Sequence, residues 1–499
     1  MRVDLAGCTV VVPTIGRPSL DVLLDALATS TGPRPAELVL VDDRPTGTPL
    51  AAERPGLPPV RVVRTGGGGP AVARNLGWRS ARTPWIAFLD DDVVPDPDWY
   101  DRLAEDLAAL PADVAGTQGR VRVPLPADRR PTDWERGTAG LATSSWITAD
   151  LAYRRAALAA VGGFDERFPR AFREDSDLAL RVMDTGSTLT RGRRWITHPV
   201  RPVDRWVSAR VQAGNADDVL MRRLHGPTWR DRADAAVGRR PRHLAVTAAA
   251  LAAVGLLVAG RPKAAGLAAL GWVAGTAEFA WARIAPGPRT RAEITTMALT
   301  SAVIPPLAGW HFLRGAVQHR TVPPWRGLPD LVLFDRDGTL VHDVPYNGDP
   351  ELVAPVDGAR TALAGLRARG VRIGLVTNQS GVGRGLITRA QADAVNARVA
   401  ELLGPFDTVQ VCPHAPEDGC DCRKPAPGLV LAACAELDVD PARCVVIGDI
   451  AADLGAAAAA GAHGILVPTP VTRPAEVAAA VHRAPTLAEA VDDVLAGAW

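Results

Sequence analysis

The sequence predicts an α/β protein in which two separate strand–helix regions are joined by a hydrophobic helical one. Three observations carry that expectation. Short β-branched runs alternate with helical stretches over 1–225 and again over 326–499, the pattern of strands and helices packed in layers. Between them, over 226–325, charge nearly vanishes from three long stretches. At 499 residues, the chain also exceeds one ordinary hydrophobic core.

Composition narrows the function classes. A formal net charge of +1 argues against wholesale electrostatic binding to nucleic acid. Six cysteines are few for this length, and three of them crowd into "CPHAPEDGCDC". A reducing compartment is expected in place of a disulfide framework. The opening "MRVDLAGCTVVVPTIGRP" reads as a short strand broken by Pro13, not as a signal peptide. Heavy use of Ala, Arg, Gly and Pro fits a GC-rich bacterial genome.

In the first region, "CTVVVPT" and "ELVLVDD" read as buried parallel strands, with "SLDVLLDALATS" as the helix between them. "WIAFLDDD" is a further strand, ending in Asp90, Asp91 and Asp92. Ligands gather at the carboxyl ends of such strands. Three adjacent carboxylates repel one another, so the run suits a divalent cation; a solvated acidic turn is the plainer alternative. Asp90 and Asp92 form a D-x-D pair able to hold Mg²⁺ or Mn²⁺ against a diphosphate leaving group. "VDD" with Asp42, "GGGGPAVARNLGW" and a downstream Glu174-Asp175 pair complete an ordered set.

That order resembles the inverting family 2 glycosyltransferases of GT-A, Rossmann-like fold, over almost all of 1–225. The resemblance implies a nucleotide-sugar donor, with Pro13, Thr14 and Asp42 near its base and ribose. Arg74, Asn75 and Asp91 would line the same pocket, and Asp90 and Asp92 would sit at the metal and diphosphate. Asp175 would be the general base that deprotonates the acceptor hydroxyl, supported by Glu174. His198 of "WITHP" matches the late metal ligand of many GT-A folds; a structural histidine is the alternative. The processive Q-x-x-R-W signature is absent, which implies transfer of single sugars to an unknown glycan or lipid-linked acceptor.

In the middle region, 244–260 and 294–313 carry no charge and 264–282 carries only Glu278. Each approaches the roughly 20 residues that a membrane span needs. Seven arginines lie between Met221 and Arg242, and Arg283, Arg289 and Arg291 follow the second stretch. The positive-inside rule makes the first two a hairpin. Pro305-Pro306 is expected to break the third near its middle, making it re-entrant or interfacial. Both flanking domains then lie at the cytoplasmic face of a bacterial cell membrane. A helical linker bundle buried against those domains is the alternative.

In the third region, "LVLFDRDGTL", "VRIGLVTNQSG", "FDTVQVCPH" and "CVVIGDI" are strand-like. Asp335 and Asp337 stand two apart at a strand end, so one can attack phosphorus while the other protonates the leaving oxygen and later activates water. A phosphate ester is anionic and resists an anionic nucleophile. The site therefore needs Mg²⁺, a hydroxyl and amide cradle, and a lysine. Thr377, Asn378, Lys424, Asp449 and Asp453 are the candidates. This set resembles the haloacid dehalogenase superfamily, implying a Rossmannoid phosphatase with an aspartyl-phosphate intermediate and Asp335, Asp337 and Asp449 as Mg²⁺ ligands.

"FDRDGT", "TNQSGVGRG" and "CPHAPEDGCDCRKP" together resemble the heptose bisphosphate and histidinol-phosphate phosphatases. Cys412, His414, Cys420 and Cys422 have the C-x-H…C-x-C arrangement suited to a closed, structural Zn²⁺ site. Its work would be to pin the loop carrying Arg423 and Lys424. Four such residues in so short a loop cannot easily form two unstrained disulfides. Cys434 and Cys444 read as core residues. "TNQSGVGRG" is closer to the heptose enzymes, whereas the short interval from His414 to Cys420 matches the histidinol-phosphate form. Fusion to a glycosyltransferase tips the expectation to a sugar phosphate and to a bifunctional, membrane-associated enzyme of envelope glycan synthesis. The rival is that one domain is a non-catalytic tether.

Overall fold

The computed structural model describes residues 4–108, 110–495, 497 and 499, which form two compact units. The first runs to 322 apart from 159–162, and the second comprises those four residues and everything from 323.

An eight-stranded mixed sheet organises the first unit, in the order β3-β2-β1-β4-β7-β6-β8-β5. Its strands are β1 (Cys8–Thr14), β2 (Glu37–Asp42), β3 (Val60–Arg64), β4 (Trp85–Leu89), β5 (Val94–Pro95), β6 (Val114–Arg122), β7 (Asp150–Arg154) and β8 (Thr188–Thr197). The first four pair in parallel, and β7 runs antiparallel to both β4 and β6. Val10, Val11 and Val12 are fully buried, because helices cover both faces of a parallel strand. The parallel register brings Thr14, Asp42 and the Asp90–Asp92 turn to the same end of the sheet.

Three long helices follow, Arg240–Val258, Pro262–Ile284 and Arg291–Gln318. The first two pair closely. One helix among the described residues, Arg240–Val258, is long and apolar enough to cross a membrane by length and composition. The expected break at Pro305-Pro306 is not present: the third helix runs unbroken through both prolines. Tertiary packing overrides the cost of the lost backbone donors, because Ile304, Pro305 and Ala308 are buried against neighbouring elements.

The second unit holds a five-stranded parallel sheet, in the order β11-β10-β9-β12-β13. Its strands are β9 (Leu331–Phe334), β10 (Arg372–Asn378), β11 (Thr408–Cys412), β12 (Cys444–Gly448) and β13 (His463–Leu466). Central β9 is buried throughout, with Val332 and Phe334 in one core and Leu331 and Leu333 in the other. Asp335 follows β9, Asn378 ends β10, Cys412 ends β11 and Asp449 follows β12. Four parallel strands therefore deliver the chemistry-bearing residues to one edge, the expected ligand side.

Candidate active sites

A cavity of about 600 Å³ opens at the carboxyl ends of β1 and β4. Pro13, Thr14, Arg74, Asp90, Asp91, Asp92, Glu174, Asp175 and His198 all line it. Each strand-end carboxylate faces a different arginine, and Arg74 also serves Glu174. Arg74 donates to Asp90 at 2.8 Å, Arg17 donates to Asp91 at 2.8 Å, and the Arg201 Nε lies 2.9 Å from Asp92 Oδ2. Thr14 adds a 2.6 Å hydrogen bond to Asp91. That contact is an ion pair and not a hydrogen bond, and Asp92 Oδ2 is buried without a hydrogen-bond partner among the described residues. His198 Nε2 lies 3.7 Å from Asp92 Oδ1. Burial, and then the neighbouring Asp90, push the Asp92 carboxyl above its ordinary range. Burial does the same to Asp175, the second residue of the Glu174–Asp184 helix.

Two expected members stand apart. Asp42 does not line this cavity, since Arg44 and Arg64 both donate to its buried carboxylate; the next residue, Asp43, lines it instead. Asn75 is also displaced from the expected pocket lining. Its amide donates to the Phe164 carbonyl and accepts from Phe164 N and Trp78 Nε1, a use fixed by complete burial.

In the second unit, Lys424 Nζ lies 2.6 Å from Asp335 Oδ1 and 2.6 Å from Asp453 Oδ1. Burial pulls the ammonium down, but the two carboxylates outweigh it and hold its pKa above the usual lysine range. Asp335, Asp449 and Asp453 each offer an oxygen within 4.8 Å of the others. The expected trio contained Asp337 in place of Asp453. The Asp337 side chain is instead forked by Arg336 at 3.0 and 2.9 Å and accepts from Gln379 at 2.9 Å. Burial, then Asp453, push the Asp449 carboxyl up to about 6. Gly338 adopts φ +79°, and a Cβ there would lie 2.5 Å from Asp449 Oδ2, so the turn after Asp337 needs glycine. Asn378 exchanges hydrogen bonds with the Lys424 backbone, and Gln379 donates to Thr377.

Cys412, His414, Cys420 and Cys422 converge beside this pocket, with sulfur and Nδ1 separations of 3.3 to 3.7 Å. The three cysteines are free thiols. These separations are near the edge lengths of a tetrahedron with metal–ligand bonds of ~2.0–2.3 Å. The same loop places Arg423, which donates to the His414 carbonyl.

Residues 9–158 match the family model Glycosyl transferase family 2, and 421–494 match the HAD-hydrolase-like model. The D-glycero-beta-D-manno-heptose-1,7-bisphosphate 7-phosphatase of Pseudomonas putida is 38% identical over 144 residues, covering 28% of this chain and 82% of that protein. Its namesake from Vibrio cholerae is 38% identical over 164 residues, covering 30% and 88%. Through its C-terminal domain the chain belongs to the heptose-bisphosphate phosphatase family. A solved member from B. bronchiseptica, complexed with magnesium and phosphate, is 32% identical, covers 33% of this chain and 98% of its own, and has a TM-score of 0.31. The chain thus joins a family 2 glycosyltransferase domain to a HAD-like phosphatase domain.

Sequence reasoning missed residues in both domains. Arg336 and Gln379 sit inside the quoted phosphatase motifs and could have been found by asking what orients Asp337. Arg17 and Arg201 of the glycosyltransferase domain carry no periodic signal; only the fold shows which carboxylate each one meets.

Proposed function

We propose that the chain is a bifunctional enzyme that hydrolyses a sugar phosphate monoester and transfers a sugar from a nucleotide sugar. The observation that carries the phosphatase half is Asp335 held by Lys424 beside Asp449 and Asp453, with Asp337 two residues on. Three acids facing one lysine are an excess of negative charge suited to Mg²⁺, which, when bound, offsets charge on the phosphate. Asp335 Oδ2 enters no hydrogen bond among the described residues and is the attacking atom. It bonds to phosphorus as the ester P–O bond breaks, and Asp337 gives the sugar oxygen its proton. Asp337 then takes a proton from water, whose oxygen displaces Asp335 and releases inorganic phosphate.

In the glycosyltransferase half, Asp175 is the base for the acceptor hydroxyl, and Asp90, Asp92 and His198 suit Mg²⁺ or Mn²⁺; the unbonded Asp92 Oδ2 supports that fit. Arg74 ties Asp90 to Glu174 and keeps both oriented. Cys412, His414, Cys420 and Cys422 hold a structural Zn²⁺ that fixes the Arg423–Lys424 loop. The relatives' names favour a heptose 1,7-bisphosphate as the phosphatase substrate, in service of envelope glycan synthesis. Both domains work at the cytoplasmic face of a bacterial cell membrane in this reading, which the length and apolar composition of the Arg240–Val258 helix support.

Purified Asp335→Asn and Asp175→Asn variants test this together. Asp335→Asn is expected to lose at least ~10³-fold in phosphate release from heptose 1,7-bisphosphate while sugar transfer continues, and Asp175→Asn to do the reverse. Equal phosphate release by wild type and Asp335→Asn would sink the phosphatase assignment. Faster turnover of histidinol phosphate than of the heptose ester would reassign its substrate.

A further inference from the structure

The central helices are built opposite to a water-soluble helical hairpin. Where Arg240–Val258 meets Pro262–Ile284, the contact residues are small: Gly271 faces Ala249 and Gly275 lies under Val246. The large apolar side chains point outward, with Leu251, Leu257, Leu267 and Leu270 each more than 60% exposed. Arg291–Gln318 repeats the pattern. One face packs inward through Ile304, Ala308 and Gly315, whose absent Cβ would meet the Ala216 backbone at 2.7 Å. On its outer face Leu299, Val303, Pro306, Trp310, Leu313 and Val317 recur at alternating four- and three-residue steps, all exposed. Such a stripe belongs against an apolar phase, not water.

Charge identifies the occupant. Arg222, Arg223 and Arg240 enter no ion pair among the described residues, and Arg240 lies within electrostatic reach of Arg230 and Arg222 as well as of Asp218. Arg240 stacks on Phe312 of the striped helix, so the cations and the stripe share one neighbourhood. At the other end of the hairpin, its turn carries Arg261 and Lys263. The uncharged run 244–260 between these cations is about 25 Å long at ~1.5 Å per residue, near the ~30 Å hydrocarbon thickness of a bilayer. Trp281 and Trp310 are exposed, a residue type favoured at membrane–water boundaries.

Resting on the membrane reading above, we propose that this surface seats on an anionic phospholipid bilayer in two distinct ways. Arg240–Val258, the helix long and apolar enough to do so, crosses it with Pro262–Ile284 packed alongside as its partner, so that Arg261 and Lys263 reach the far headgroups. The striped helix lies flat in the near headgroup layer, and Arg222, Arg223 and Arg240 meet lipid phosphates. A second copy of the chain is the poorer occupant, because it would bring the same unpaired arginines together. Arg283 of the hairpin also pairs with Asp133, at 2.8 Å, on the Asp133–Ala139 helix whose Gly137 and Thr138 line the donor cavity. Seating therefore fixes that cavity relative to the bilayer, which suits an acceptor carried on lipid.

The test is flotation of the full chain with vesicles of phosphatidylcholine alone or mixed three to one with phosphatidylglycerol. Wild type is expected to prefer the mixed vesicles, and Arg222→Gln/Arg223→Gln to lose about 30-fold of that preference. Leu257→Glu/Leu267→Glu should abolish flotation, and Leu313→Glu/Val317→Glu should weaken it with the hairpin intact. Nucleotide-sugar binding by the unit that carries the substitutions is the check that each variant has folded there. Flotation of the hairpin variant at the wild-type level overturns the seating. Indifference of wild type to phosphatidylglycerol overturns the headgroup contacts, and an unaffected Leu313→Glu/Val317→Glu variant overturns the interfacial helix. Any of these with phosphatase activity intact leaves the enzymatic reading standing.

Discussion

The two carboxylate clusters sit at equivalent places, the carboxyl ends of parallel strands, yet they balance charge differently. In the glycosyltransferase domain Asp90, Asp91 and Asp92 each face a separate arginine, Arg74, Arg17 and Arg201. In the phosphatase domain Asp335 and Asp453 share Lys424, and Asp449 makes no ion pair among the described residues. The three strand-end aspartates of the first cluster are matched by three arginines, although Arg74 also serves Glu174, while the second sets three carboxylates against one lysine at short range. On the proposed reading, the same chemical need, to neutralise phosphate, is met by one site that would exchange cations and another that would gain one. The proposed metals should differ accordingly in how strongly each site depends on them.

The sharpest break of that contrast is Lys424→Met. A buried lysine serving two carboxylates has no substitute, and removing one partner of a buried ion pair costs about 3–5 kcal/mol. We expect phosphate release to fall by at least ~10²-fold and the melting temperature of the phosphatase domain to drop. An equivalent loss on replacing Arg17, which is one-third exposed and serves Asp91 beside Thr14, would erase the distinction.

A smaller effect follows from the Asp449 carboxyl, raised to about 6 by burial and Asp453. The unfolded chain releases this proton near the ordinary aspartate value of about 4, whereas the folded chain keeps it to higher pH. Between these values the folded state binds more protons, so metal-free stability should fall as pH rises from about 4 to 6, by roughly 2 kcal/mol after allowing for partial solvation. Mg²⁺ needs the ionised carboxylate, so its stabilising increment should grow across the same window. Thermal melts with and without Mg²⁺ measure both slopes. A Mg²⁺ increment that is flat with pH, or unchanged in Asp449→Asn, would separate this carboxylate from the metal.

Much of this contrast was legible in the sequence, and the illegible part has a physical cause. Continuous β-branched runs mark strands buried on both faces, which is why Cys8–Thr14 was readable residue for residue. The acids that follow such strands, Asp90 to Asp92 and Asp335, were readable with them. Strand β8 was not, because "TLTRGRRWIT" spends three of its positions on arginines; Arg194 is fully buried only because Asp106 and Asp150 arrive from remote parts of the chain. Asn75 and Asp42 stood in the right motifs, yet their side chains satisfy buried or local groups that no motif encodes. The unbroken helix at Pro305 belongs to the same class: local propensity named the cost but could not name the packing that outweighs it.

Arg201 offers the finest probe of the two-cluster comparison. Its side chain is about half exposed and pairs with a carboxylate that is nearly buried, so the pair is worth only ~1 kcal/mol in the absence of ligand. A divalent cation arriving at Asp92 has to displace that guanidinium or share the carboxylate with it. Arg201→Gln removes the competitor and leaves Asp90, Asp92 and His198 in place. Mn²⁺ should then bind the glycosyltransferase site about fivefold more tightly, which calorimetry can measure in an Asp449→Asn background that weakens the other site. Weaker Mn²⁺ binding in Arg201→Gln would mean that the arginine builds the metal site instead of occupying it. The two clusters would then differ in their partners but not in their dependence on metal.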